Sequence, residues 1–308
     1  MSGLNSDLRE FLDVVDKVAA AAADVTDDVD RWAPVESAGL WTLARDTAEE
    51  SDAVEWLAHT VRVAAGRFPA LGYVLAGRYA ADLVVDTDAV QSPTFALVSS
   101  LAKPVVATSP APDAIVLLDV DAGSLHLVTW EDVEAEHAPR TGLEAARAAV
   151  LASPTAPSAL AADQAEVLAA WELLVGAALV GVAERAVQLT SSYVLERKQF
   201  GVPIGSFAGL RALVAGMSLR VEPVRAQLDL ALRGEAPGDG VAASAGRVAV
   251  DNCLDAIQCH GGYGYIDEYP VAGLLRDAIS LQARSGGRRL HVARVATRGL
   301  GEPAGRPS

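Results

Sequence analysis

The chain has 308 residues, 51% of them hydrophobic, enough apolar material for one large core or two closely packed domains. A formal charge of −15 repels phosphate backbones and anionic bilayers, so nucleic acid and membrane are set aside as partners, although a local arginine could still hold an anionic cofactor. Aromatic residues make up only 5%, and a core of alanine, leucine and valine favours packed helices over a sandwich or barrel.

Residues 1–10 carry neither a basic region nor an apolar run, so no secretory signal is expected and a cytoplasmic location is. An N-terminal helical domain is expected over 1–87. Leu8, Phe11, Leu12, Val15 and Val18 fall on one face at helical spacing. From Trp56 to Val85 apolar clusters alternate with small residues, and Gly66 and Gly72 mark breaks or close contacts.

The character changes over 88–155. Runs rich in Val, Leu and Ile at 94–98, 114–120 and 124–130 are separated by turn material at 109–113 and 121–123. A short β-domain of four or five strands is expected there. The acidic run at 131–136 reads as a solvated surface.

Helical pattern returns over 156–300. Residues 161–196 are apolar on most sides, as in a helix inside a bundle, and the most apolar part, 173–183, is too short to span a bilayer. Further helices are expected at 207–232, from about 241 to 260, and from 272 to about 283. A last short basic helix follows Ser285-Gly286-Gly287, and a tail occupies 301–308. Cys253 and Cys259 read as small buried hydrophobes in a reducing compartment.

Two segments stand out for chemistry. The first, at 193–207, reads Tyr-Val-Leu-Glu-Arg-Lys-Gln-Phe-Gly-Val-Pro-Ile-Gly-Ser-Phe. The second, at 258–270, reads Gln-Cys-His-Gly-Gly-Tyr-Gly-Tyr-Ile-Asp-Glu-Tyr-Pro and runs on to Leu275-Arg276-Asp277-Ala278. Arg197, just before a turn, offers a forked donor suited to a pyrophosphate. Gln199 adds an amide and Phe200 an apolar wall. Gln258 with Gly261 and Gly262 offers an amide and a backbone that a dinucleotide can approach closely, because neither glycine has a Cβ. Taken singly, an arginine paired with a carboxylate and glycines that end a helix are the plainer readings.

In this order and separation, the two segments resemble the C-terminal helical domain of the acyl-CoA dehydrogenase family, over roughly residues 175–280. The resemblance implies a mainly α fold with a small β-domain: N-terminal helices, a middle β-domain and a C-terminal four-helix bundle. It also implies that Arg197, Gln199, Phe200, Gln258, Gly261 and Gly262 grip the adenosine and pyrophosphate end of FAD. In the family those contacts cross a subunit interface, so the flavin ring would lie in a neighbour.

The same resemblance exposes what is absent. Most members place a glutamate base seven residues after the alanine of Arg-Asp-Ala, followed by Gly-Thr. Counting from Ala278 lands on Ser285, followed by Gly286 and Gly287. A serine without a partnered base does not take an α-proton near neutral pH. Other members carry the base on the helix before the Arg-Lys-x-Phe-Gly segment. There the alignment on Gly181 puts Trp171 at the base position and Glu172 one residue on, turned about 100° away. Glu172 is thus a relocated base or, otherwise, a helix-surface or interface carboxylate. The β-domain also lacks the Thr-Glu-Pro and Gly-Ser-Asp stretches that hold the flavin ring.

The resemblance then points to the short, degenerate subunits of actinobacterial heteromeric acyl-CoA dehydrogenases of steroid catabolism. The implied assembly is a hetero-oligomer, two copies of this chain with two of a longer catalytic subunit that holds the acyl-CoA. The alternatives are a flavin-free structural or regulatory pseudoenzyme, and a self-sufficient dehydrogenase using Glu172. No metal is expected, because His59, His126, His137, His260 and His291 show no ligand spacing. His260 is expected to orient the Gly-Gly loop or pack beneath it. Arg284, Arg288, Arg289, Arg294 and Arg298 form a basic stripe for helix ends and salt bridges, or for CoA phosphates or the partner's FAD.

Overall fold

The first helix, α1 (Ser6–Asp24), starts where the Asn5 side chain accepts a hydrogen bond from the Asp7 N–H at 2.8 Å. This is a computed structural model, and it describes residues 5–28, 30–99, 104–139, 141–152 and 157–301. Leu8, Leu12, Val15, Ala19 and Ala22 are the buried face of α1, at three- and four-residue spacing. Short helices α2 (Ala33–Ser37) and α3 (Leu43–Asp46) lead to α4 (Ala53–Arg67) and α5 (Pro69–Asp82). Pro69 opens α5 at a position where a missing N–H leaves no bond unmade. Gly66 and Gly72 are close contacts and not breaks. Gly66 faces the backbone of Gly181, and Gly72 lies against Ala65.

The β-region holds β1 (Pro93–Val98), β2 (Val105–Ala107), β3 (Ala114–Asp119), β4 (Ser124–Thr129), β5 (Ala135–His137), β6 (Ala148–Leu151) and β7 (Ser158–Ala159). One sheet has the order β1-β3-β4-β7, with β1 and β3 parallel; the other has the order β2-β6-β5 and is antiparallel. Among the described residues this exceeds the four or five strands expected. The additional strands are two or three residues long, too short to show alternation in sequence. β3 divides its faces cleanly. Ile115 and Leu117 pack with Val106, Ala149 and Leu151 of the second sheet, whereas Val116 and Leu118 join the helical core.

The C-terminal part is built on α6 (Gln164–Glu196), whose start is capped by Asp163 accepting from the Ala165 N–H. A two-strand hairpin, β8 (Lys198–Gln199) and β9 (Val202–Pro203), leads into α7 (Ala208–Leu232). Then come α8 (Gly238–His260), α9 (Val271–Arg284) and α10 (Gly287–Leu300). α6 packs against α4, α5, α7, α8 and α9 and is the axis of the molecule. As a whole helix it is long and apolar enough to cross a bilayer, which the reading of its apolar stretch alone missed; 72% of its most apolar window is nevertheless buried inside the fold. Gly181 touches the Arg62 carbonyl, so α4 and α6 cross at backbone contact. α8 starts three residues before the position read from sequence, because Gly238 fits against the Ala169 carbonyl and Asp239 is ion-paired to Arg298. Beyond Gly301 the expected tail lies outside the described residues.

Candidate functional site

The C-terminal end of α6 meets that of α8 through an aromatic stack. The Tyr193 ring lies 4.0 Å from the His260 ring at 20°, and Tyr269 meets Tyr193 edge-on at 5.6 Å. These contacts join two sequence segments more than sixty residues apart. His260, the last residue of α8 before the Gly-Gly loop, is buried, with Nδ1 2.7 Å from the Ala256 carbonyl oxygen. Burial lowers its pKa from the ordinary imidazole value, against a smaller upward pull from that backbone bond.

The candidate cofactor residues sit around this stack and face outward. Arg197 caps α6, and its guanidinium carbon stands 5.0 Å from the centroid of the Tyr263 ring. The hairpin turn is made by Phe200 and Gly201, at φ 55° and 82°, a left-handed pair that matches the twist of the flanking strands. That turn leaves Phe200 92% exposed, its ring edge-on to that of Phe207 with centroids 6.2 Å apart. Gln199, on the same hairpin, is exposed and donates to the Lys198 carbonyl at 3.0 Å. Gln258 is exposed on the last turn of α8. Gly261 and Gly262 have open space where a Cβ would stand. The structure brings Arg197 and the Gly-Gly loop together through Tyr263; it places Gln199 and Phe200 on the adjoining hairpin. The tyrosines were visible in the two motifs, but nothing in their spacing assigned them the joint. An adenosine and pyrophosphate fit this set. Two amides, an apolar face and bare backbone are turned to solvent, beside a half-buried cation.

A second region lies near the start of α6 and contrasts with the first. Ser285 is 0% exposed, its hydroxyl donates to the Gln282 carbonyl at 3.0 Å, and its carbonyl accepts from the Trp171 indole N–H at 3.1 Å. Trp171 is packed by Phe95 at 4.8 Å and Tyr73 at 6.2 Å. Gly286 is wedged between Leu290 and Leu97. Glu172 is neither a surface nor an interface carboxylate. It is 0% exposed, with His291 Nδ1 at 3.0 Å and Arg294 Nε at 2.9 Å from one carboxylate oxygen. The same Arg294 nitrogen is 3.0 Å from the other oxygen. The 100° turn that separates Glu172 from Trp171 aims it at α10, whose cations were visible in the sequence without a partner.

The basic stripe is therefore divided. Arg294 pairs with Glu172 and Arg298 with Asp239, while Arg284 donates to the Gly142 carbonyl at 3.1 Å and lies 5.8 Å from the Tyr73 ring centroid. Arg288 and Arg289 are exposed. Beside Arg284, Asp277 accepts from the Leu143 N–H at 2.6 Å, and burial pushes its carboxyl up to about 6. Cys253 and Cys259 are buried, which pushes their thiols up to about 12 and about 11. Among the described residues no group of three His, Cys, Asp or Glu is placed to hold a metal ion. A polar cleft of about 700 Å³ lies apart from both regions, between α4, α6 and α7, and includes His59, Arg62 and Glu184. Burial and the Arg62 charge lower His59 to about 3, so it is a neutral imidazole there.

With this geometry in place, the comparisons are specific for the C-terminal half. The family model "Acyl-CoA dehydrogenase, C-terminal domain" matches residues 161–300. The fold of the chain is that of the acyl-CoA dehydrogenases. Butyryl-CoA dehydrogenase from Megasphaera elsdenii superposes with a TM-score of 0.77 at 16% identity, covering 97% of this chain and 99% of that one. A variant of the Tcur3481-Tcur3483 steroid ACAD superposes with a TM-score of 0.77 at 18% identity, covering 96% and 99%. Among curated relatives, the acryloyl-CoA reductase (NADH) of Anaerotignum propionicum is 32% identical over 129 residues, 40% of this chain and 33% of that protein. An acyl-CoA dehydrogenase of Bacillus subtilis is 38% identical over 119 residues, 36% of this chain and 31% of that protein. The matched stretch spans about a third of each of these relatives.

Proposed function

We propose that this chain is a non-catalytic, cytoplasmic subunit of a heteromeric FAD-dependent acyl-CoA dehydrogenase. It completes the FAD site of a longer catalytic partner through Arg197, Gln199, Phe200, Gln258, Gly261 and Gly262. The FAD supplies the hydride acceptor for α,β-dehydrogenation. The base and the acyl-CoA pocket belong to the partner, and the assembly holds two copies of each subunit.

One observation carries the reading: the residues suited to a dinucleotide face outward, whereas the position of the expected base is a buried serine sealed by Trp171. Glu172 does not replace that base, because His291 and Arg294 occupy it. The outward set also weighs against a flavin-free scaffold, which has no use for a half-buried arginine over a tyrosine face beside a bare glycine loop. A steroid-derived CoA ester is the proposed substrate of the complex, supported by the shared fold with a steroid ACAD.

Purified with its partner, the wild-type complex is expected to be yellow. Arg197→Ala removes a charge-assisted donor from the pyrophosphate and should strip most of the flavin, read as the ratio of flavin to protein absorbance. Full flavin occupancy in that variant would sink the interface reading.

A further inference from the structure

The polar cleft between α4, α6 and α7, about 700 Å³, has a built floor. His59 and Arg62 both line it, though they are only 4% and 7% exposed. A guanidinium can only donate, so the 3.3 Å bond from Arg62 Nε to His59 Nδ1 puts the imidazole proton on Nε2. That Nε2–H has no hydrogen-bond acceptor among the described residues, the Glu55 carboxylate standing 4.0 Å away. Nor is the atom sealed in the core, so it opens on the cleft that His59 and Glu55 share. A fixed, neutral donor left unbonded at the bottom of a cleft suits the acceptor of a ligand.

The walls carry a different signal. Among the described residues, four carboxylates and three guanidiniums line the cleft. Arg62 is taken by Glu184 at 2.7 Å, and Arg233 by Glu235 at 3.0 Å. That leaves Glu55, Glu222 and Asp229 against Arg225, a surplus of acid that favours a cation. Among the described residues Glu222, Arg225 and Asp229 are in no ion pair within the chain. Glu222 to Asp229 is seven residues of α7, a wall of net negative charge about 10 Å long. Val187, Val221 and Leu232 add apolar surface to the lining.

We propose that this cleft is a second binding site, for an organic amine that also carries an amide. The amide carbonyl accepts from His59 Nε2–H, the ammonium lies against Glu55, Glu222 and Asp229, and the methylenes between them cover the valines. The site shares no residue with the flavin-facing set and stands whether or not the flavin reading does.

The test is a calorimetric titration at low salt, on the full-length chain alone and on the complex purified with its partner. The probe is N-acetylputrescine, which holds an acetamide and an ammonium on one four-carbon chain; saturable binding, one per chain, is expected. Heptylamine keeps the ammonium and the length but lacks the carbonyl. It should bind about tenfold more weakly, for the loss of one hydrogen bond to a buried donor. N-Butylacetamide lacks the ammonium and should also bind more weakly. Glu222→Gln with Asp229→Asn, both on the outer side of α7, should weaken N-acetylputrescine about fivefold and leave N-butylacetamide unchanged. No saturation at millimolar N-acetylputrescine, equal affinity for heptylamine, or unchanged affinity in the double variant overturns the proposal. Binding by the free chain that is lost in the complex does so too, because the partner would then cover the cleft. Tighter binding of 4-acetamidobutyrate, the carboxylate analogue, would reverse the sign of the site. None of these results bears on the flavin occupancy read with Arg197→Ala.

Discussion

The two ends of α6 have been put to opposite uses. At its C-terminal end, Arg197, the hairpin and the Gly-Gly loop leave polar groups and bare backbone in solvent. Near its start, Trp171, Glu172 and Ser285 have closed on one another and on α10, with their polar atoms bonded internally. At the first end the polar groups spend little of their bonding on the fold; at the second, both oxygens of the Glu172 carboxylate are taken by His291 and Arg294. An isolated charge can serve either purpose; its hydrogen-bond account tells which.

That contrast can be broken by substitution. The largest effect is expected for Glu172→Ala, which leaves His291 buried and Arg294 without its carboxylate. It should cost about 3 kcal/mol in chemical denaturation, in the range for losing one partner of a buried ion pair. A variant as stable as wild type would mean that Glu172 is not a structural carboxylate.

Asp277 gives a pH test of the same buried side. Its folded carboxyl titrates near 6 instead of 3.8, chiefly because it is buried. The native state therefore holds that proton more tightly than the unfolded chain. The contribution is fully present below about pH 4 and is lost as pH rises through about 6, on the order of 3 kcal/mol. Asp277→Asn should flatten this part of the curve, read as the wild-type minus variant difference in denaturation midpoint from pH 4 to 7. A difference that grows in favour of wild type with rising pH would reverse the assignment.

The smallest stability effect is expected on the exposed side. Phe200→Ala should change folding stability by less than about 0.5 kcal/mol, as for surface positions away from packing. It should nevertheless lower flavin occupancy of the complex. A large loss of stability with unchanged flavin would erase the distinction between the two ends.

Much of this was legible before the fold. The periodicity of α1 and the length of α6 follow from apolar spacing. Ser285 was recognisable as lacking a carboxylate by counting from Ala278. What could not be read was partnership. Glu172 meets cations 119 and 122 positions away, and no local pattern connects them. Gly238 and Asp239 fell outside the helix expected from about 241, because only a neighbouring backbone and a distant arginine draw them into it. The shortest strands were missed because two or three residues carry no period.

The crossing of Gly181 on the Arg62 carbonyl has a further consequence. With no side chain between them, α4 and α6 are keyed together at one point of fixed register, and α6 runs from there to Arg197 as an uninterrupted helix. The molecule thus behaves as a protractor with its pivot at Gly181. One residue added or removed between 181 and 197 would swing Arg197 through about 100°, while the pivot and everything N-terminal to it stayed in place. Evolution of this chain is free to trim loops, but the count of residues along that arm is a dial setting.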